Sequence, residues 1–321
     1  MVKFIVERVV QSVVVLFLVS IIAFGMINAA PGEPAAALYG GQLERLTQSE
    51  IDRINENLGL DKPVTERYVL WLNGMLHGEM GVSYSEGRSV NDMIAARLPN
   101  TLRLFFWGIS LTVFFSVLLG QKAGFSPGSL WDRGLTSMSL VINCIPSFLV
   151  ALFCIFVFSV NLHWLPSAGS STLLSGGGFF DRAKYLVLPV VVIICSHVGS
   201  FARFIQERIR EESDSYYVMV ARANGVNPKE IRLGILKNAM VPCINYIGAH
   251  IPSFFSGFVV VETVFAYTGM GSMLVRAISL KDYPVLMGSI FTIGVVVVIG
   301  IFVVDMIAMV LNPKMRRAVF K

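Results

Sequence analysis

Charge is scarce in this sequence. Only 15% of its 321 residues are Asp, Glu, Lys or Arg, against 55% apolar residues, and the mean hydropathy is +0.68. A water-soluble chain needs about a quarter of its residues charged, so much of this surface must face something other than water. There is no GxxxxGK[ST] phosphate loop, which excludes nucleotide hydrolysis of the usual kind on this chain. Cysteine numbers four (Cys144, Cys154, Cys195, Cys243), all within apolar stretches. None has CxxC spacing or a histidine at zinc-ligand spacing, so they read as small buried hydrophobes and no metal site is expected. Histidine also numbers four. Cys195 and His197, two positions apart, point to different faces of a helix, which leaves an intramembrane enzyme without a nucleophile–base pair. The net charge of +5 is parcelled out between hydrophobic segments and argues for membrane orientation, with no nucleic acid as partner.

What is present in quantity is long apolar runs. Residues 9–30 carry no charge, and residues 285–311 carry only Asp305. Runs of about 18 or more such residues cross the roughly 30 Å hydrocarbon layer as helices. The hydropathy pattern predicts about six membrane helices, near 9–30, 101–121, 136–160, 186–204, 241–265 and 286–311. The first is too long and too well followed by further spans to be a cleaved signal peptide, so an uncleaved helix is expected. With the N-terminus inside, Lys3, Arg8, Lys122 and Arg133 fall on the cytoplasmic side. So do the seven cations from Arg203 to Lys237, and Lys314, Arg316, Arg317 and Lys321. The positive-inside rule therefore places both termini in the cytoplasm. The fold class expected is an all-α polytopic membrane protein with three regions: an N-terminal span (1–30), an extracytoplasmic subdomain (31–100) and a core (101–321).

Two connections are too long to be turns. Residues 31–100 open with Pro31-Gly32-Glu33-Pro34, a rigid exit from the membrane. They continue through a polar, helix-favouring stretch at 43–58 with Ile51, Ile54 and Leu58 on one face. Prolines fall inside three spans, at Pro146, Pro189, Pro242 and Pro252. Interrupted membrane helices are tolerated where the freed carbonyls find neighbours or line a wet cavity. Pro146, Pro189 and Pro252, with Glu262, are accordingly the candidates for a pathway or gate; a packing kink is the plainer reading of each proline.

The connection near 205–240 is the informative one. Ser213, Asp214 or Ser215 can cap a first short helix, Gly225 suits the left-handed residue that ends it, and Asn227-Pro228 with Glu230 starts a second. Tyr217, Val220 and Ala221 form an apolar stripe on the first helix, and Ile231, Ile235 and Ala239 one on the second. Such an elbow either lies on membrane lipid or docks in a groove on a soluble partner. The small residues Ala221, Ala223 and Gly225 favour close docking.

At this point the sequence resembles a family. Ala221-Arg222-Ala223-Asn224-Gly225, followed by Ile235 and Lys237-Asn238-Ala239, looks like the cytoplasmic EAA loop of bacterial ABC importer permeases. More narrowly, it looks like that of the first permease subunit of the dipeptide/oligopeptide/nickel group. The resemblance runs along nearly the whole chain. It includes Leu58-Gly59-Leu60-Asp61, Gly78-Glu79-Met80-Gly81-Val82-Ser83 and Arg97-Leu98-Pro99-Asn100-Thr101-Leu102. Further on it includes Trp164-Leu165-Pro166, Glu262-Thr263-Val264-Phe265, Gly269-Met270-Gly271, Asp282-Tyr283-Pro284 and Leu311-Asn312-Pro313. Met219 and Val220 stand where the name-giving Glu and first Ala would be, so a role for an acidic residue there does not transfer.

The resemblance implies half of a peptide pathway in the bacterial cytoplasmic (inner) membrane, paired with a second homologous permease. One or two ABC ATPases would hold the ATP and Mg, with no cofactor on this chain, and an extracytoplasmic substrate-binding protein would deliver cargo. It also implies that Tyr217, Val220, Ala221, Arg222, Ala223, Asn224, Gly225, Val226, Asn227, Pro228 and Ile235 couple the chain to the ATPase. Nickel or metal-chelate import by the same architecture is an alternative. An ATPase-independent transporter or channel is another, and the paucity of intramembrane ionisable residues (His197, His250, Glu262 and Asp305 being the candidates) speaks against it. Asp282, in an Asp-Tyr-Pro context, is expected to organise a loop.

Overall fold

The computed structural model describes residues 2–30, 47–57, 59–172 and 178–311, and within them helices joined by turns and loops make up the fold. Eleven α-helices follow in order: α1 (Val2–Ala29), α2 (Gln48–Asn57), α3 (Val64–Leu76), α4 (Val90–Gly124), α5 (Leu130–Asn143), α6 (Ser147–Cys154), α7 (Phe179–Ser213), α8 (Tyr216–Ala223), α9 (Pro228–Val264), α10 (Met270–Leu280) and α11 (Tyr283–Leu311). A π-helical segment, Ile155–Asn161, continues α6. The described residues hold no strand, only an isolated antiparallel bridge between Val82 and Ser89.

Five helices (α1, α4, α7, α9 and α11) are long and apolar enough to cross a membrane. The expectation of about six spans is met if α5 and the α6–π pair count as one. That pair is bent by 98°, so the span expected at 136–160 is a broken or re-entrant element. Its break falls at Cys144–Pro146, where Cys144 ends α5 and Pro146 precedes the first residue of α6. Proline has no N–H to continue the ladder and disfavours helical geometry in the residue before it. The expectation that proline interrupts the fourth and fifth spans is corrected: α7 runs through Pro189, and α9 through Pro242 and Pro252. Each proline removes a single bond, one from a helix of 35 residues and two from a helix of 37, and in a bundle the freed carbonyls find other partners. The helices also extend well beyond the apolar runs that announced them. Within the expected helix at 43–58, α2 occupies Gln48–Asn57; residues 43–46 and Leu58 lie outside the described residues, as do Pro31-Gly32-Glu33-Pro34 and the basic tail.

The chain divides into two compact units, Val2–Thr101 with Thr268–Val298, and Leu102–Tyr267 with Ile299–Lys321. In the first, Phe24 and Ile27 of α1, Val90 and Met93 of α4, Met270 and Met273 of α10 and Leu286 of α11 form one apolar core. Tyr68 and Trp71 of α3 pack on Phe24, with ring centroids 5.3 and 6.5 Å away. Buried Asp282 organises the loops of this unit. Its carboxylate accepts from the Ser83 hydroxyl (2.6 Å), the Tyr84 amide (3.1 Å) and both the amide (3.0 Å) and hydroxyl (2.7 Å) of Ser85. The loop role expected for Asp282 is therefore seen, with partners almost 200 positions away in sequence. The same unit joins Asn100 Nδ2 to the Thr268 carbonyl (2.8 Å) and the Met270 amide to Thr101 Oγ1 (2.8 Å). Motifs separate in the sequence thus meet as hydrogen-bonded pairs.

In the second unit α4 and α7 approach very closely. A Cβ added at Gly120 would lie 2.6 Å from the Ala202 carbonyl and 2.8 Å from Ile205 Cβ; one at Gly124 would lie 2.9 Å from Ile209 Cβ. Small residues four apart let membrane helices pack backbone to side chain. On the α5 side, Ser139 Oγ donates to the Leu135 (2.6 Å) and Gly199 (3.1 Å) carbonyls. Asp132 in the first turn of α5 clasps α7: it pairs with Arg210 at 2.5 Å and accepts from Gln206 Nε2 at 2.6 Å. Cys154 and Cys243 are buried as expected, Cys195 is half-buried, and Cys144, at the α5–α6 break, is exposed. The break leaves no neighbouring turn to cover it.

Candidate functional site

Between α7 and α9 the chain makes a tight elbow, and local chemistry accounts for it. Helix α8 ends in a Schellman arrangement. The Val226 amide donates to the Ala221 carbonyl and the Gly225 amide to the Arg222 carbonyl, both at 3.1 Å. Gly225 has φ +70°, a conformation that costs residues with a Cβ about 1–2 kcal/mol. Asn227 then caps α9 by accepting from the Lys229 amide at 2.9 Å, with Pro228 at its first position. The sequence rules for Gly225, Asn227 and Pro228 are thus all visible in the geometry.

Two details differ from expectation. Ser215 stands at the cap of α8 but its side chain makes no capping bond; its hydroxyl donates backwards to the Glu212 carbonyl at 2.6 Å. The inward residue of α8 is Val218, fully buried, with Ala221 packed beside it, whereas Tyr217 and Val220 are exposed. On α9 the stripe of Ile231, Ile235 and Ala239 is buried as read. Val218 and these residues pack on Ile205 and Ile209 of α7, so the elbow is seated on the end of α7 by a small core of its own. Ambiguity of helix phase over eight residues explains the miss: Val218 and Val220, two positions apart, are both apolar, and only the neighbour decides which turns inward.

A second fixture escaped the sequence reading. Asn238 of α9 donates to Glu212 Oε1 at 2.9 Å and to the Tyr217 hydroxyl at 3.1 Å. Loss of water pushes the Tyr217 phenol above its ordinary range, so it stays protonated at neutral pH. The outcome is a rigid projection whose outer face carries Tyr216, Tyr217, Met219, Val220, Ala223 and Val226, all exposed. Beside it lies a cleft of about 820 Å³ to which Arg210, Arg222 and Arg232 contribute; the Arg232 guanidinium sits 4.5 Å from the Phe125 ring centre.

The pathway candidates are dispersed. Pro146 stands at the α5–α6 break, Pro189 is buried within α7, and Pro252 is exposed on α9. Glu262 is fully buried in the last turn of α9. The two intramembrane histidines come together in an aromatic ladder between α7 and α9. His197 stacks on Phe254 at 4.2 Å, and His250 lies 4.0 Å from Tyr246 and 5.5 Å from Phe201. Each Nδ1 donates to the carbonyl four residues back, Ile193 at 3.0 Å and Tyr246 at 2.8 Å. Among the described residues no three His, Cys, Asp or Glu side chains gather as a metal site would require.

A set of long apolar helices carrying an exposed apolar elbow defines a multi-pass membrane protein. Residues 112–317 match the family described as the binding-protein-dependent transport system inner membrane component, and residues 1–105 match the N-terminal region of such membrane components. The chain belongs to this family of multi-pass transport permeases. It is 32% identical to the oligopeptide transport system permease protein AppB of Bacillus subtilis, over 98% of this chain and 100% of that one. It is 30% identical to a Brucella suis peptide permease protein and to the di/tripeptide transport system permease protein DppB of Pseudomonas aeruginosa, in both cases over 98% of this chain and 99% of the relative.

Proposed function

We propose that this chain forms half of the membrane pathway of an ATP-driven importer of di- and oligopeptides, with a second homologous permease forming the other half. ATP and Mg are held by one or two ABC ATPase subunits, and an extracytoplasmic binding protein delivers the peptide. Both termini and the elbow face the cytoplasm. Full-length similarity to permeases named for peptides favours this cargo over nickel chelates.

The observation that carries the coupling role is mechanical. Helix α9 starts inside the elbow at Pro228 and continues unbroken to Val264. At about 1.5 Å rise per residue, a displacement applied to α8 is passed along a single rod for the depth of a membrane. The exposed face of Tyr217, Val220 and Ala223 inserts in a groove of the ATPase, a helix-in-groove contact. Gly225 and the Asn227–Pro228 cap hold the angle of the elbow, while Ile235 and Asn238 hold it to the spans.

The test is to tag the chain, purify it gently from its native membrane and identify what comes with it by mass spectrometry. A second six-helix permease and one or two P-loop ATPases are expected. A homo-oligomer free of ATPase, obtained under conditions that preserve a known importer, would overturn the reading and turn the elbow into a membrane-surface helix.

A further inference from the structure

A cavity of about 550 Å³ in the first unit is walled by residues of α1, the end of α2, α3, α11 and the loops around them, and is chemically unlike the other clefts. Its wall carries charges of both signs: Arg67, Lys62 (paired with Glu66 at 3.0 Å), and the exposed carboxylates of Glu56 and Glu79. Arg67 of α3, half-buried, has no ion-pair partner among the described residues, and neither have Glu56 and Glu79, which line the same cavity. Surface side chains often stand alone, because exposed pairs contribute little. A half-buried arginine in a cavity wall is different, since whatever part of its charge leaves water without a partner is unfavourable. Its neighbours add donors: its charge reaches the phenols of Tyr84 and Tyr283, both in the cavity wall. Burial pushes the Tyr84 phenol upward, so it remains a donor at neutral pH. Trp71, also in the wall, has a buried indole N–H with no acceptor among the described residues.

Donors in the neighbourhood of a lone guanidinium suit a carboxylate, and two lone carboxylates suit an ammonium. A small molecule with both groups, joined by amides that offer carbonyls, is a short peptide with free ends. The volume lies within the range of about 300–1,000 Å³ typical of small-molecule sites.

We propose that this cavity is a binding station for a free-ended di- or tripeptide. Arg67, helped by Tyr84 and Tyr283, receives the C-terminal carboxylate, and Glu56 and Glu79 receive the N-terminal ammonium. The station rests on the peptide-import reading and extends it, giving the permease a carboxylate-reading site of its own besides the binding protein. On this view the wall selects by end-group charge and ignores side chains, as a component handling many peptides requires.

The experiment uses the full-length chain in lipid nanodiscs, without binding protein, and a small panel of free di- and tripeptides led by trialanine. Calorimetry compares each peptide with its C-terminal amide and its N-acetyl form. Free peptides are expected to bind about tenfold or more tightly than either blocked form, the effect of about one lost charge-assisted contact. Arg67→Gln should remove the preference for the free carboxylate while retaining the preference for the free amine, and Glu56→Gln with Glu79→Gln should do the reverse. Arg67→Lys should restore part of the carboxylate preference, which separates a binding defect from a folding one, and thermal unfolding checks each variant. No binding by any peptide at millimolar concentration, or equal binding of free and blocked forms, overturns the station. Uptake of labelled trialanine by cells expressing the whole transport system separates the two readings. Uptake without nanodisc binding removes the station alone, and absence of uptake removes the peptide-import reading.

Discussion

Gly225 and Asp282 are the residues at which a single atom's worth of change should matter most, for opposite reasons. A Cβ at Gly225 would touch nothing within 4 Å, so its cost is purely one of backbone. At φ +70° a β-branched side chain is disfavoured by about 1–2 kcal/mol or more. Gly225→Val should therefore abolish peptide uptake and ATPase coupling while leaving membrane insertion intact, and Gly225→Asn should retain most of both, since Asn tolerates this region. Normal uptake by the Val variant would remove the coupling assignment. Asp282 works through enthalpy and burial: four donors converge on its carboxylate. Asp282→Ala leaves them without an acceptor, at about 2–4 kcal/mol in all. A lowered midpoint in detergent and faster proteolysis near Ser83–Ser85 are the expected readouts, and unchanged values would contradict the loop role.

At the scale of elements, two packings invite tests. The α4–α7 contact leaves no space at Gly120, where the opposing atom is the Ala202 backbone carbonyl. Backbone cannot move aside as a flexible side chain can, so Gly120→Ala should destabilise by about 1–3 kcal/mol. Gly234 of α9 meets nothing within 4 Å, and Gly234→Ala should be neutral or stabilising by up to about 1 kcal/mol, the helix propensity difference. Thermal unfolding of the pair in one detergent compares them directly. The seat of the elbow is the second packing. Val218→Asp would place a charge in the small core shared with Ile209, Ile231 and Ile235. It should release α8 and uncouple ATP hydrolysis from uptake. Val220→Asp, on the exposed face, should leave the fold intact and weaken ATPase co-purification. Reversal of that pattern would show that the helix phase is the other one.

The whole molecule carries an orientation. In a cysteine-free background an impermeant maleimide should label Arg88→Cys in intact spheroplasts and Lys229→Cys only after permeabilisation. Both positions are exposed, so reactivity reports the side of the membrane. The opposite pattern would invert the topology and with it the cytoplasmic docking of the elbow. The charge distribution that argues for the present orientation is a property of the whole chain. The seven cations from Arg203 to Lys237 bracket the elbow, and the segment 31–100 is richer in acids.

By itself, the sequence determined whatever depends on nearest neighbours. Apolar runs longer than the hydrocarbon layer announce α1 and α11; Gly225 and Asn227-Pro228 announce the corner, because φ preferences and capping are settled within a few residues. The loop role of Asp282 was legible from its Asp-Tyr-Pro context, though not its partners. Tertiary structure alone decided which residues close those local options across long separations. It chose Val218 over Val220 as the inward position, joined Ser83–Ser85 to Asp282 and Asn100–Thr101 to Thr268–Met270, and drew Arg67, Glu56 and Glu79 to one cavity. It also bent the third span by 98° at Cys144–Pro146 while letting α7 and α9 pass through their prolines. A proline fixes its own φ and removes one donor, but whether the helix breaks depends on what the freed carbonyl meets, and that partner belongs to another part of the chain.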